Sequence, residues 1–348
     1  MCIRDSCEVV DMGNESRSGN YSLMSRRMKQ RLQETLDKKE QAMILLNKRG
    51  YASFIKCESC NEPIRCPHCD VTLTYHKAEN RLKCHLCEYF IPTPRTCPNC
   101  GSTHLKKIGY GTQKIEEELK KHYPEAHIIR FDFDTTRNKN THLKLLKDFE
   151  EHKADIMLGT QMIAKGLDFS NVTFVGVLMA DLSLMVPDFR ASERTFQLLC
   201  QVAGRSGRGE KQGTVMIQTF NPEHYAIKAA VKQDYDAFFK EEIAFRKKAK
   251  YPPYCHLVSV IVQSRSPKNV HSIALDISQY LKDHLEKVRI IGPQSTFKMQ
   301  DIYRERILIK YIESKPIYEQ LSIIDDYYNR TRKGGVIVAC DFNPYSTY

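Results

Sequence analysis

Apolar residues recur along this chain in two alternating rhythms. Short, nearly unbroken runs stand at Ala42–Leu46, Ile128–Phe131, Asp155–Leu158, Val172–Leu178 and Val215–Gln218. Runs of that length without alternation read as strands buried on both faces, as in a parallel sheet. Between them the period lengthens. Met24, Met28, Leu32 and Leu36 repeat every fourth residue across Ser22–Lys39, which predicts an amphipathic helix capped by Ser22 or Ser25. Further helical patterns lie at Thr112–His122, stopped by Pro124, at Lys139–Glu151 and at Ala191–Ala203. The alternation predicts a doubly wound α/β domain, whose ligand loops leave the carboxyl ends of its strands.

The ends of the chain follow other patterns. Met1–Ser6 has no periodicity and fits nothing that follows, so residues 1–8 read as a non-native or vestigial start. Residues 223–253 are charge-rich, predict connecting helices and close on Pro252-Pro253. Beyond them the pattern is strand (Leu257–Val262), helix (Lys268–Leu285), strands (Arg289–Ile291, Ile307–Tyr311), helix (Pro316–Tyr328), strand (Gly335–Cys340). That order is a split βαβ, ferredoxin-like α+β arrangement. It carries no catalytic constellation and reads as a docking or binding domain over residues 254–348.

Cysteines change the picture most. Eight of 13 fall in four C-x2-C pairs: Cys57/Cys60, Cys66/Cys69, Cys84/Cys87 and Cys97/Cys100. Two intervening residues let one tight turn aim both sulfurs at one tetrahedral metal, and two pairs complete a four-thiolate site. Four pairs therefore predict two zinc ions in a module over residues 57–100. A nested arrangement is expected, with Cys57, Cys60, Cys97 and Cys100 on one ion and Cys66, Cys69, Cys84 and Cys87 on the other. A redox C-x2-C would be a single pair beside a βαβ unit. Little apolar content lies between the thiols, so metal is expected to supply the folding energy. His68, His76 and His85 lie nearby, with eight thiolates already available as ligands.

Charge narrows the partners. There are 53 Lys+Arg against 42 Asp+Glu, a formal net charge of +11, which favours a polyanion. No apolar run is long enough to cross a bilayer, no segment reads as an export signal, and the abundant thiols fit a reducing cytosol, hence a cytoplasmic protein.

Three segments suit phosphate chemistry. Gln201-Val-Ala-Gly204-Arg205-Ser-Gly207-Arg208 ends an apolar helix, and paired guanidiniums can fork onto phosphate oxygens. A basic helix end held by the helix dipole is the alternative. Gly159-Thr160-Gln161-Met162-Ile163-Ala164-Lys165-Gly166-Leu167-Asp168 directly follows a strand, as a ligand loop should. There Thr160 can offer hydroxyl and amide to a strand phosphate, and Asp168 can accept from a ribose hydroxyl or merely cap a turn. Gly109-Tyr110-Gly111-Thr112-Gln113 opens a helix whose free amides can take a phosphate, although a plain Thr cap explains it equally well.

Together these motifs resemble the second, RecA-like motor lobe of superfamily 2 helicases, and more closely the bacterial replication-restart helicases of the primosomal protein N′ family. The likeness runs from about Val9 to the C-terminus. It also rests on Leu46-Asn-Lys-Arg-Gly-Tyr51, Pro187-Asp-Phe-Arg-Ala-Ser-Glu193, Tyr251-Pro-Pro253 and Asp341-Phe-Asn-Pro344. The resemblance implies a lobe over residues 9–56 and 101–222 interrupted by the zinc module. It implies ATP-driven 3′→5′ unwinding at abandoned forks, with loading of primosome proteins and contact with single-stranded-DNA-binding protein, in a monomer. By the same resemblance Arg205 and Arg208, with Gln201, contact the γ-phosphate. Gly166 and Asp168 belong to the nucleotide side; Gly111, Thr112, Thr160 and Gln161 belong to the DNA side. The sequence departs from the family in having no G-x4-G-K-[ST] loop and no D-E-x-H motif. ATP and Mg²⁺ are thus expected to need a first motor lobe, and this chain alone is expected not to hydrolyse ATP. The rival reading is a self-standing zinc-containing DNA-binding protein with no motor role.

Overall fold

A computed structural model describes residues 6–47, 54–57, 59–60, 62–68, 72–76, 80–84, 87, 89–108, 112–131, 139–161, 163, 169–186, 188–204, 213–296, 298–331 and 335–345. The chain divides into two compact units, one of Met1–Tyr51 with Tyr110–Glu242, the other of Ala52–Gly109 with Ile243–Tyr348.

The first unit is built on a six-stranded sheet. Its strands are β1 (Ser6–Asp11), β2 (Gln41–Leu46), β8 (Ile128–Phe131), β9 (Ile156–Gly159), β10 (Val172–Leu178) and β11 (Thr214–Thr219). They run parallel in the order β1-β11-β10-β2-β9-β8. Helices cover both faces, which is why the strands read as unbroken apolar runs. Met43 and Leu45 of β2 join Val175 and Val177 against α4 (Lys139–Glu150), α5 (Ala191–Ala203) and α6 (Tyr225–Lys232). Ala42, Ile44 and Leu46 point the other way, onto Met28 and Leu32 of α2 (Arg26–Asp37) and Ile115 and Leu119 of α3 (Thr112–His122). The alternation of Cβ direction along one strand thus feeds two separate cores. Ser25 caps α2, accepting from the Met28 amide at 3.1 Å. Gly176 lies under that helix, where an added Cβ would stand 2.9 Å from Ile44 Cδ1 and 3.1 Å from Met28 Cε.

One boundary needs correcting. Ser6, Cys7 and Glu8, assigned above to a start outside the fold, pair with Thr214, Val215 and Met216. Cys7 and Val9 pack on one core and Val10 on the other. An edge strand of six residues needs only these few apolar contacts, too few to show as a period.

The second unit holds the cysteine module and the C-terminal domain. The module stands on an antiparallel stem of β3 (Phe54–Cys57) and β7 (Leu105–Ile108), so it begins before Cys57 and ends after Cys100. Within it β4 (Thr74–His76), β5 (Arg81–Lys83) and β6 (Phe90–Pro92) form a small meander. The expectation of almost no core is also corrected here: Ile55, Leu73 and Leu82 are fully buried together with Cys66 and Cys84. The C-terminal domain has the predicted βαββαβ order: β12 (His256–Ser264), α8 (Pro267–His284), β13 (Arg289–Ser295), β14 (Tyr303–Tyr311), α9 (Ser314–Asp325) and β15 (Ile337–Phe342). Its antiparallel order β13-β14-β12-β15 is the ferredoxin-like one. Residues 223–253 fold as α6 and α7 (Tyr235–Ala249), and α6 packs into the first unit's core instead of standing free. Among the described residues no helix is long and apolar enough to cross a membrane.

Asp181, buried in the 3-10 turn after β10, closes the lobe. Its carboxylate accepts from Thr219 Oγ1 at 2.5 Å, the Phe220 amide at 2.7 Å and the Asn221 amide at 3.1 Å. Asp181→Ala would strand these donors in the interior, at a cost of about 3 kcal/mol. A denaturant midpoint unchanged from the parent would contradict this account.

Candidate functional site

The cysteines converge as two sets. Cys57 and Cys60 leave the end of β3, and Cys97 and Cys100 form the turn ahead of β7, so the stem brings the outer pairs together. Cys57 Sγ stands 3.6 Å from Cys100 Sγ, and Cys60 Sγ 3.7 Å from Cys97 Sγ. Cys66, Cys84 and Cys87 form the inner set, with Cys66 and Cys87 sulfurs 3.6 Å apart. Cys69, the expected fourth member, lies outside the described residues. These spacings are far beyond a disulfide bond. They match the edge of a tetrahedron with metal–sulfur bonds of about 2.3 Å, which is about 3.8 Å. The donor set and its dimensions therefore fit zinc, with the outer four thiols converging as one set and Cys66, Cys84 and Cys87 as another.

Backbone geometry prepares the thiolates. The Cys60 and Ser59 amides point at Cys57 Sγ and hold that thiol down at about 6. Cys100 receives the Ser102 amide, yet burial and its neighbouring thiols push it up to about 12. A divalent cation at this set would favour the thiolate form of its ligands. Gly101, at φ +72°, turns the second knuckle, and its amide donates to Cys97 O at 2.9 Å. His68 belongs to neither set. Its Nδ1 stands 2.7 Å from Asp301 Oδ2.

In the first unit, the strand carboxyl ends carry a polar relay that the motif search missed. Asn47, buried just past β2, donates through Nδ2 to Ala180 O and Ser183 Oγ, both at 2.9 Å. Gln161 Nε2 donates to Asn47 Oδ1 at 3.1 Å, and Ser183 and Thr195 hydroxyls meet at 2.6 Å. The relay joins the exits of β2, β9 and β10 to α5. A buried amide closing an otherwise apolar strand was the available signal. Thr160 lies beside Gln161 and is half-buried, its carbonyl accepting from the Ile163 amide at 3.1 Å. Gly159 before it has no room for a side chain, since a Cβ would sit 2.4 Å from Phe131 O. Thr112 opens α3 and is buried.

Gln201 is placed elsewhere. It is exposed on the last turn of α5, and α5 crosses back from the end of β10 to the start of the parallel strand β11. The helix direction thus sets Gln201 toward the amino ends of the strands, and Thr160 and Gln161 follow the carboxyl end of β9. Arg205, Arg208, Gly111, Gly166 and Asp168 lie outside the described residues. At the front of α5, Asp188 is buried and accepts from the Arg190 amide at 2.8 Å, with the Arg190 and Arg194 guanidiniums at 3.8 and 3.9 Å.

Three sequence profiles match the chain. They are the PriA DNA helicase Cys-rich region domain over residues 66–92, the helicase conserved C-terminal domain over residues 105–210, and the primosomal protein N C-terminal domain over residues 247–345. A parallel-sheet helicase lobe carrying a thiol-rich insertion is the class these features define. The replication restart protein PriA of Bacillus subtilis is 47% identical over 341 residues, 97% of this chain and 42% of that protein. The PriA proteins of Synechocystis and Borreliella burgdorferi are 40% and 35% identical over 87% and 98% of this chain, and 37% and 51% of their own lengths. The chain belongs to the PriA family. It spans about half the length, or less, of these relatives.

Asn47→Ala should free the loop holding Thr160 and Gln161 at a stability cost of about 2 kcal/mol. Hydrogen exchange at the 159–163 amides should quicken while the C-terminal domain is unaffected; equal protection would remove Asn47 from this role.

Proposed function

We propose that this chain supplies the second motor lobe, with its appended domains, to an ATP-dependent 3′→5′ DNA helicase of replication restart and primosome assembly in the cytoplasm. The observation that carries the reading is the double thiolate module on its own stem, inserted between the second strand and third helix of a helicase lobe. In this reading Thr112 and Thr160, with Gly111 and Gln161, hold the DNA backbone through hydroxyl and amide donors. Asn47 fixes the loop that presents them. Gln201, Arg205 and Arg208 reach a nucleotide held by a partner lobe bearing a phosphate loop, with Gly166 and Asp168 lining the same cleft. The position of Gln201 toward the strand amino ends supports such a division, one end of the strands for nucleic acid and the other for nucleotide. Two zinc ions hold the knuckles and supply about 10–16 kcal/mol of apparent folding energy. The net charge of +11 favours DNA, and single-stranded-DNA-binding protein and primosome proteins are the partners the family suggests.

Metal analysis of the purified chain should return two zinc ions, falling to one in Cys60→Ser with the inner set retained. A ratio of two in that variant would dissolve the nested assignment.

Motor and plain binding protein separate on Arg205→Ala in a chain extended by the phosphate-loop lobe. DNA-stimulated ATP turnover should fall about 10³-fold or more, with zinc content and DNA affinity preserved. Undiminished turnover would refute the nucleotide role, and turnover by the present chain alone would refute the need for a partner lobe.

A further inference from the structure

The cysteine module and the C-terminal domain meet at one turn. Gln300 and Asp301 both take left-handed φ, +53° and +59°, at the tip of the turn joining β13 to β14. Consecutive positions of this kind are normally left to Asn and Gly, so the surroundings must hold them. They do. The Asp301 amide donates to His68 O at 2.9 Å, its carboxylate meets His68 Nδ1 at 2.7 Å, and Lys298 Nζ donates to Pro67 O at 2.7 Å. Beside this junction a cavity of about 470 Å³ is lined by His68, Cys87, Tyr89, Phe90, Gln300 and Asp301.

The lining is matched to one kind of ligand. Three of the six residues are aromatic rings, and the Tyr89 and His68 rings meet edge to face at 5.1 Å. Phe90 is 57% exposed, unusual for a residue beside a small protein core, and the Arg81 guanidinium lies 5.2 Å from its ring. The polar members are an amide, Gln300, and a carboxylate already balanced by Lys298 at 3.6 Å and His68. Aromatic rings beside an amide, a carboxylate and the Cys87 sulfur suit a heteroaromatic ring that carries its own donors and acceptors. A nearby guanidinium suits the phosphate that follows it.

We infer that this cavity takes an unpaired nucleobase of single-stranded DNA, stacked on Phe90, with the adjoining phosphate at Arg81. The inference rests on the DNA-binding reading above and adds a base-holding site in the second unit. It gives the latched turn a purpose: Gln300 and Asp301 are held in strained positions because they form one wall of the pocket.

The test uses the whole zinc-loaded chain, a single-stranded oligonucleotide, and a matching strand whose central residues are abasic. Phe90→Ala should weaken binding of the base-bearing strand about tenfold and leave binding of the abasic strand unchanged. Phe90→Tyr should restore affinity. Zinc content equal to the parent shows that the module is intact, which exposure of Phe90 leads us to expect. Equal affinity of parent and Phe90→Ala for the base-bearing strand would overturn the pocket, as would an equal loss on both strands. A parent chain that binds neither strand would remove the DNA-binding reading itself, an outcome distinct from the others.

Discussion

A parallel sheet buried on both faces cannot accept extra chain within its strands, because each strand is already covered above and below. Additional sequence can leave only from a strand end, and it must return close to where it departed if the next helix is to be laid down. Here the excursion begins after Leu46 and ends before Thr112. The β3–β7 ladder closes it by bringing outgoing and returning chain to strand-pair distance, about 5 Å. The outer thiolates Cys57, Cys60, Cys97 and Cys100 sit directly on that ladder. One four-thiolate set therefore serves two ends: it orders a module with only a small core, and it clamps the excursion shut. The inner set is free of this duty and shapes the meander that carries Phe90.

Much of this was legible in the residues. The apolar runs named five strands of the lobe because burial on both faces leaves an unbroken signature, and the C-x2-C spacing marked the cysteines that converge because two residues between thiols suit one tight turn. The C-terminal βαββαβ order was readable from alternating periods. Other features left no such trace. Strand β1 sits at the sheet edge, where Cys7, Val9 and Val10 suffice, so its six residues resemble an unstructured start. The small core of Ile55, Leu73 and Leu82 is assembled from residues far apart in the chain, each isolated among polar neighbours. Asn47 was hidden inside a motif quoted only for its likeness, although a buried amide ending an apolar strand signals a hydrogen-bonded junction.

The pocket at the latched turn was invisible for a further reason. His68 and Asp301 are separated by 233 positions, and only the fold makes them neighbours. Periodicity and spacing report contacts within an element or across one turn. They carry no information on a surface composed by two distant segments, each of which looks like a solvated loop when read alone.

The two ends of the lobe's strands can be weighed the same way. The carboxyl ends of the strands are tied by Asn47, Gln161, Ser183 and Thr195, so the start of the loop after β9 is joined through Gln161 to the exits of β2 and β10 by neutral hydrogen bonds. In the motor reading proposed above, neutral donors there suit a phosphate backbone that slides, since they bind without fixing a charge in place. In the same reading the motif that follows α5 in sequence brings guanidiniums, whose forked, charged contacts would suit a nucleotide that must be gripped. In that reading the sheet supplies the rigidity a motor lobe needs between its two ends, because its strands are packed on both faces.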